Sequence, residues 1–176
     1  MIEISRLLVF GLIFFVFCNC ASKITPPVEF EEIRLHRWTA LEGGEIFVLR
    51  HVGAEWSAEL LSDATRFRCL YGRKVTPKSD WNTLWNTLVQ DGLMEISGSE
   101  PPSGLEDGDG FRLEVRSGGK IQQYVVENPT HQSSENAKRI LRIGDLISKE
   151  FDTPMFAAKY DRGQVFDYLY APCKKE

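Results

Sequence analysis

The feature that most constrains this chain is the apolar segment at its start, because it separates a leader from the part that folds. Residues 7–17 are apolar apart from Gly11, and Arg6 precedes them. The segment is too short to cross a bilayer as a helix, which needs ~20 residues, but it suits the apolar core of a secretory signal peptide. We therefore predict that residues 1–19 are a signal peptide and that the rest of the chain is exported.

A cysteine follows this segment, in the sequence Phe17-Cys18-Asn19-Cys20-Ala21-Ser22. This arrangement resembles the processing site of bacterial lipoproteins, whose cysteine becomes the lipidated first residue of the mature chain. Asn19 departs from the small residue usual before that cysteine, but the relaxed site of spirochaete-type lipoproteins accepts asparagine there. The resemblance implies lipidation of Cys20 and a lipid anchor in a membrane of the bacterial cell envelope, at the outer membrane or the cell surface. Ordinary cleavage nearby, an uncleaved anchor and a misassigned start are the alternatives.

Two cysteines remain in the mature chain, Cys69 and Cys173. Because exported proteins meet an oxidising compartment, we predict that these two form a disulfide. Closing a loop of about 100 residues would stabilise the fold by ~4–5 kcal/mol in the chain-entropy model. Two separate thiols are the alternative. Neither cysteine belongs to a Cys-x-x-Cys pair, so no thioredoxin-like redox centre is indicated.

Composition bounds the size and the partners of the folded part. Residues 20–30 read as a lipidated tether stiffened by Pro26-Pro27, and residues 31–176 suit a single domain. Hydrophobic residues make up 43% of the chain and aromatic residues 11%, which is enough to form a core. The formal net charge of −4 provides no basic surface for nucleic acid, so we expect no nucleic-acid partner.

Residues 32–38 and 66–71 alternate polar and apolar side chains, which is typical of half-buried strands, and residues 45–52 are rich in Ile, Phe, Val and Leu. We predict strands over residues 32–38, 45–52, 56–61 and 66–71, with a turn at Gly43-Gly44. A helix then follows from Ser79 to Leu93, which Ser79 or Asp80 caps. Its apolar positions recur with helical spacing and form one stripe: Trp81, Leu84, Trp85, Leu88 and Val89.

The second half predicts a loop, a hairpin and another helix. Residues 97–110 have loop composition, and Gly118-Gly119 separates two strand-like runs at 111–115 and 121–126. A second helix begins near Ser133 or Ser134 and runs to Phe151. Its predicted buried face comprises Ala137, Ile140, Leu141, Gly144, Ile147 and Phe151. The aromatic tail, residues 155–176, is expected to dock on the domain or to add a strand.

This order of elements predicts an α+β fold, with an antiparallel β-sheet packed against two helices in a single domain. Helices that a hairpin separates, rather than helices alternating with single strands, favour antiparallel pairing. One face of the sheet is expected to pack on both helices.

No pattern of catalytic or metal-binding residues stands out. The acidic run at residues 106–110 lacks the ligand spacing of an EF-hand, and the three histidines lack metal spacing. Neither His-Glu-x-x-His nor Gly-x-Ser-x-Gly occurs. We therefore expect no cofactor, no metal and no enzymatic activity. The tryptophans, Trp38, Trp56, Trp81 and Trp85, could line a ligand groove, but Trp81 and Trp85 lie on the stripe that must face the sheet, so we predict core packing for them.

The order of motifs from Trp81 to Phe151 resembles that of small exported bacterial proteins of unknown function. These motifs are a Trp-x-x-x-Trp helix, a Gly-rich loop, an Asp-Gly before a strand, a Gly-Gly hairpin, a tyrosine followed by Asn-Pro, and a helix. The resemblance implies a similar fold and assigns no catalytic residue.

Together these features favour a lipid-anchored envelope or surface protein that acts as a non-enzymatic module binding a partner protein. A module binding a lipid or another small molecule is one alternative. A small hydrolase with a dispersed site is another.

Overall fold

A computed structural model describes residues 30–39, 43–63, 72–102, 104 and 108–159. Several sequence predictions lie outside these residues: the signal peptide, most of the tether, the strand at 66–71 and the tail from residue 160 onward. Cys20, Cys69 and Cys173 lie outside them as well, so the lipidation and the disulfide stay predictions.

The described strands form one seven-stranded sheet in the order β4-β3-β2-β1-β6-β7-β5. Neighbouring strands are antiparallel except β5, which runs parallel to β7. The strands are β1 (Phe30–Thr39), β2 (Gly43–Val52), β3 (Glu55–Asp63), β4 (Gly72–Val75), β5 (Gly98–Ser99), β6 (Asp109–Ser117) and β7 (Lys120–Glu127). The helices are α1 (Trp81–Gln90) and α2 (Glu135–Phe151), with 3-10 turns at Pro129–His131 and Pro154–Phe156. The predicted α+β class, with a mostly antiparallel sheet and two helices, is confirmed.

The predicted hairpin is present, and its turn explains the glycine pair. Ser117 pairs with Lys120 around Gly118 and Gly119, whose φ angles are 55° and 75°. A two-residue turn of this hand needs positive φ at both central positions, which glycine adopts without steric cost. Both strands are longer than the predicted runs at 111–115 and 121–126. β6 begins at Asp109, inside the expected loop, and β7 extends by one residue at each end.

The turn predicted at Gly43-Gly44 is displaced, because both glycines are the first residues of β2; Gly43, with a φ of 80°, pairs with Thr39 where the two strands reverse direction. Gly44 pairs with Trp38 of β1. A Cβ at Gly44 would come within 2.4 Å of the Arg37 carbonyl oxygen, so the close approach of the two strands requires glycine here. Gly44 therefore serves the close packing of the two strands, while Gly43 lies next to the reversal.

Both helices begin at the predicted caps. The Asp80 carboxylate accepts a hydrogen bond from the Thr83 amide at 2.9 Å, and the Ser134 hydroxyl accepts one from the Ala137 amide at 3.0 Å. The Thr83 hydroxyl and amide also hold the pKa of Asp80 below its usual value. These bonds satisfy amides that the first turn of a helix leaves without a partner.

The helices and the sheet enclose one core, on one side of the sheet. Its strand residues come from alternate positions of five strands: Ile33, Leu35, Phe47, Leu49, Ala58, Leu60, Phe111, Leu113, Val115, Tyr124 and Val126. Leu84 and Leu88 of α1 and Ile140, Ile143 and Ile147 of α2 complete it. The predicted face of α2 is rotated slightly, since Ile143 is buried and Leu141 is only half-buried.

One end of this core is polar and ties the chain after α2 to the sheet. Arg37 is almost fully buried, donates hydrogen bonds to Asp109 and to the Ala157 carbonyl, and lies 4.7 Å from the centre of the Phe111 ring. The Thr153 hydroxyl donates to the buried Glu45 carboxylate at 2.6 Å. Buried charges of this kind are tolerated when they are hydrogen-bonded, so these residues serve the fold.

Candidate functional site: the helix-free face of the sheet

Both described helices pack on the same side of the sheet, so the other side presents strand residues that neither of these two helices covers. Side chains alternate between the two sides of a strand, and the pairing register aligns the outward positions across strands. We call this side the helix-free face. Across β1, β2, β3, β6 and β7 it includes Phe30, Glu32, Arg34, His36, Trp38, Ile46, Val48, Arg50, Val52, Glu55, Ser57, Glu59, Leu61, Arg112, Glu114, Arg116, Ile121, Gln123, Val125 and Glu127.

A buried carboxylate organises the charges of this face. Glu32 is 4% exposed and accepts hydrogen bonds from the Nε atoms of Arg34 and Arg50, each at 2.7 Å. The Nε of Arg116 lies 3.9 Å from the same carboxylate. Burial would raise the pKa of Glu32, but the hydrogen bonds and charges of Arg50 and Arg34 outweigh it and hold that pKa below its usual value. Glu32 is therefore ionised near neutral pH and fixes the surrounding guanidinium groups.

Beside this cluster lies a half-open concavity of about 300 Å³. All of its lining residues belong to β1, β2, β3 and β6: Arg34, His36, Ile46, Val48, Arg50, Leu61, Arg112 and Glu114. Its apolar wall consists of Ile46, Val48 and Leu61. Three arginines and one glutamate line it, and Glu32 beside it offsets part of the charge of Arg34 and Arg50.

Hydrogen-bond donors exceed acceptors in the concavity. Arg112 makes no hydrogen bond or ion pair with another described residue, and the only such contact of Arg34 there uses its Nε. The Glu114 carboxylate is already engaged, because Arg116 donates to one oxygen at 2.7 Å and Gln123 to the other at 3.0 Å. An arginine has five N–H groups, so several donors along the concavity lack a partner among the described residues.

Exposed apolar side chains continue this face beyond the concavity. Phe30 and Val52 pair with each other across β1 and β2, and each is 43% exposed. Ile121, which pairs with Arg116, is 60% exposed. Three of the four large apolar residues that are exposed in the described part of the chain thus lie on the helix-free face.

The four tryptophans of the predicted groove or core do not lie together. Trp56 lies parallel to Trp81, with ring centres 6.2 Å apart, and its ring centre is 5.5 Å from that of Trp85, on the helix-covered side. These three are half-buried against the core, in partial agreement with the predicted core packing. Trp38 instead lies on the helix-free face, where a Cβ at Gly110 would come within 2.1 Å of its ring.

The three histidines are also separate. His36 lines the concavity, His131 ends a 3-10 turn, and His51 stacks on Trp56 with ring centres 3.9 Å apart. Glu31 lies 3.3 Å from His51, but the nearby Ser117 hydroxyl donates to Glu31 and not to the imidazole. This is not the order of a serine–histidine–acid triad. Within the described ranges, no three His, Cys, Asp or Glu residues form a group that could hold a metal ion.

The sequence analysis did not predict a site formed by the arginines of the helix-free face. The available signal was charge at alternate positions: Glu32 and Arg34 in β1, and Arg112, Glu114 and Arg116 in β6. That pattern is also typical of any strand with a solvated side, so it predicts exposure and not a site. Arg50 is the charged residue of β2 opposite Glu32, and this neighbour relation follows only from the pairing of β2 with β1.

Comparison with protein-family models, with curated proteins and with solved structures found no match for this chain. No helix in the part of the chain that the structure describes is long and apolar enough to span a membrane.

Proposed function

We propose that this protein is a non-enzymatic binding module, held at a membrane of the bacterial envelope by lipid on Cys20, and that its helix-free face binds a partner protein. The observation that carries the proposal is the concavity on this face, where guanidinium donors without described partners border an apolar wall. The anchor is supported by the apolar leader and by the residues around Cys20.

The composition of the face favours a protein partner. Protein interfaces are enriched in arginine and large apolar side chains, and exposed apolar patches mark interaction sites. Here Phe30, Val52 and Ile121 lie next to the row that contains Arg50 and Arg116. Such a surface would supply both apolar contact area and orienting charge.

The arginine of the concavity that no described residue pairs with favours an acidic group on the partner surface. Complementary potentials steer association and exclude wrong partners. Arg34 and Arg50 are paired with Glu32, whereas Arg112 has no ion pair with a described residue, so a negatively charged group beside Arg112 would be preferred. Binding should accordingly weaken as salt is added.

Site-specific photocrosslinking in cells that make this protein tests the binding surface. A photoreactive residue at position 121 should yield a crosslinked species of defined mass, because Ile121 is the most exposed apolar residue of this face. The same residue at position 138 is the control, since Lys138 is exposed on α2. Adding Arg112→Glu should abolish the product at 121. Equal products at 121 and 138, or a product at 121 that survives Arg112→Glu, would contradict the proposed surface.

Fatty-acid labelling tests the anchor. Cys20→Ser should block incorporation of labelled fatty acid and move the protein from the detergent phase to the soluble fraction. Cys18→Ser is the matched control and should leave both unchanged. Labelling that persists in Cys20→Ser would refute the lipid anchor.

A further inference from the structure

Two arginines of the concavity, Arg34 and Arg50, are held in place by Glu32 in a way that suits an incoming anion. Arg34 and Arg50 both use Nε to bind Glu32, at 2.7 Å, so their positions are set before any ligand arrives. The terminal nitrogens of Arg34 bind no described residue, while Arg50 Nη1 makes only a long contact of 3.8 Å with Glu59. Guanidinium groups positioned in advance bind carboxylates at a smaller entropic cost.

Arg112 lies on β6, on the other side of β1 from Arg50. It pairs with His36 and borders the concavity from β6, and it is exposed. Because none of its donors is engaged by the described residues, it can offer two parallel N–H groups to one carboxylate. The nearby acceptor that would compete, Glu114, is occupied by Arg116 and Gln123.

The apolar wall and the volume of the concavity indicate which group would lie beside the anion. Ile46, Val48 and Leu61 face the same space, so the group beside the anion is apolar. The concavity has a volume of about 300 Å³. This is the low end for small-molecule sites and suits two adjacent side chains better than a membrane lipid with its headgroup and acyl chains.

The surroundings favour a polypeptide over a compact ligand. The concavity is half-open, and the face continues past it to Val52, Phe30 and Ile121. An extended ligand that crosses the strands would contact both regions, whereas a compact one would leave these apolar side chains in water.

From these four observations we propose that the concavity bordered by Arg34, Arg50 and Arg112 takes one carboxylate side chain of the partner, together with the large apolar side chain next to it. This inference rests on the proposed function, because it names the part of the partner protein that the same face binds. The carboxylate lies against Arg112 and the terminal nitrogens of Arg34, and the apolar side chain packs on Ile46 and Leu61.

Calorimetric titration of the full mature protein in detergent tests this inference, with capped peptides as probes. A peptide containing Glu-Leu should bind, and the matched peptides containing Gln-Leu or Glu-Ser should each bind about tenfold more weakly or worse, since one charge-assisted hydrogen bond or one buried aliphatic group corresponds to about that factor. Dihexanoyl phosphatidylglycerol, a soluble anionic lipid, is the competing probe.

Variants of the protein locate the binding site of the peptide. Arg112→Ala should weaken the Glu-Leu peptide about tenfold. Arg112→Lys should recover part of the loss, because it keeps the charge without the bidentate geometry. Lys138→Ala, on α2, is the control and should bind like the parent. Circular dichroism of each variant confirms that the fold is retained.

Three results would overturn the inference: equal binding of the Glu-Leu and Gln-Leu peptides, unchanged binding by a folded Arg112→Ala, or binding of the lipid in place of the peptide. These failures are distinguishable from failure of the proposed function. If position 121 still gives its Arg112-dependent crosslink, the protein-binding face stands and only the recognised pair of side chains is wrong. If that crosslink is absent, the face itself is wrong.

Discussion

Among the side chains of the helix-free face, Glu32 is 4% exposed, while the two arginines that bind it, Arg34 and Arg50, are 45% and 36% exposed. The carboxylate is thus covered largely by its own partners. The hydrogen bonds to Glu32 restrict the orientations of the Arg34 and Arg50 guanidinium groups. The same residue therefore affects both the stability of the sheet and the shape of the concavity.

We expect Glu32→Gln to lower the free energy of unfolding by about 1–3 kcal/mol, because it removes two charge-assisted hydrogen bonds whose arginines are partly screened by water. Urea denaturation measures this change. Glu59→Gln is the matched control, since Glu59 is 36% exposed and its contact with Arg50 is 3.8 Å long; its effect should stay within about 0.5 kcal/mol. An equal loss in both variants would contradict the organising role of Glu32.

The contribution of Glu32 should also depend on pH. Its pKa is lower in the folded protein than the ordinary value of 4.5, so the folded state binds the proton less readily than the unfolded chain does. The stabilisation is present above pH 4.5 and is lost as the pH falls through the lowered pKa. The difference in unfolding free energy between the parent and Glu32→Gln should therefore shrink steadily in acid. A difference that stays constant down to pH 2 would contradict the lowered pKa.

At the scale of single elements, α1 differs most from its sequence pattern. The predicted stripe is narrower in the structure: Leu84 and Leu88 are fully buried, Trp81 and Trp85 are half-buried, and Val89 is 39% exposed. The helix also ends at Gln90, with residues 91–95 in turns and Gly92 at a φ of +86°. The two leucines therefore contact the centre of the core, and the two tryptophans cover its edge.

This difference changes the expected effect of truncating α1. Full burial of Trp85 would predict a loss of ~3–5 kcal/mol for Trp85→Ala. With the ring only partly buried, less area leaves contact with the protein than for a fully buried ring, and we expect a loss of about 2–3 kcal/mol. Leu88→Ala should cost about 2–5 kcal/mol, since it opens a cavity, and Val89→Ala should change stability by less than about 1 kcal/mol. Thermal and urea unfolding of the three variants tests this order. A Trp85→Ala protein as stable as its parent would mean that the ring serves binding rather than packing.

For the whole molecule, the position of β1 has the largest consequence. It lies at the centre of the sheet, between β2 from the first half of the chain and β6 from the second. Both described helices then cover the same side, because their apolar faces meet the same rows of strand residues. The opposite side gathers charged residues from β1 and β2 and from β6, which is distant from both in sequence.

The cysteines outside the described residues provide a test at the same scale. We predict that Cys69 and Cys173 form a disulfide in the exported protein, which would stabilise it by ~4–5 kcal/mol in the chain-entropy model. Mass spectrometry of a non-reduced digest should contain the linked peptides, and reduction should lower the melting temperature. Two freely alkylated thiols in protein taken from its native compartment would exclude the disulfide.

The features that the sequence predicted well depend on neighbours along the chain. Asp80 and Ser134 cap their helices through amides three residues away, and Gly118-Gly119 turns the hairpin through its own backbone angles. Alternation and strand composition located β1, β2 and β3 within two residues at each end. These signals are local, because the interacting groups are separated by only a few residues.

The predictions that failed or were incomplete depend on partners far along the chain. Gly43-Gly44 has the composition of a turn, but Trp38 and Arg37 of the adjacent strand make it part of β2. The rotation of α2 that buries Ile143 instead of Leu141 depends on the sheet it packs on. The short strands β4 and β5 have no periodic pattern and exist only through their pairing with β3 and β7.

Local sequence thus specifies the α+β class, the helix caps and the hairpin, and it predicts export from residues 1–19. The arginine-lined concavity could not be inferred that way. Arg34, Arg50 and Arg112 meet because β1 pairs with β2 and β6 in one register, and a shift of one residue would turn each side chain to the other side of the sheet. The physical reason is that alternation places a residue on one of two sides, while only strand pairing decides which residues of different strands become neighbours.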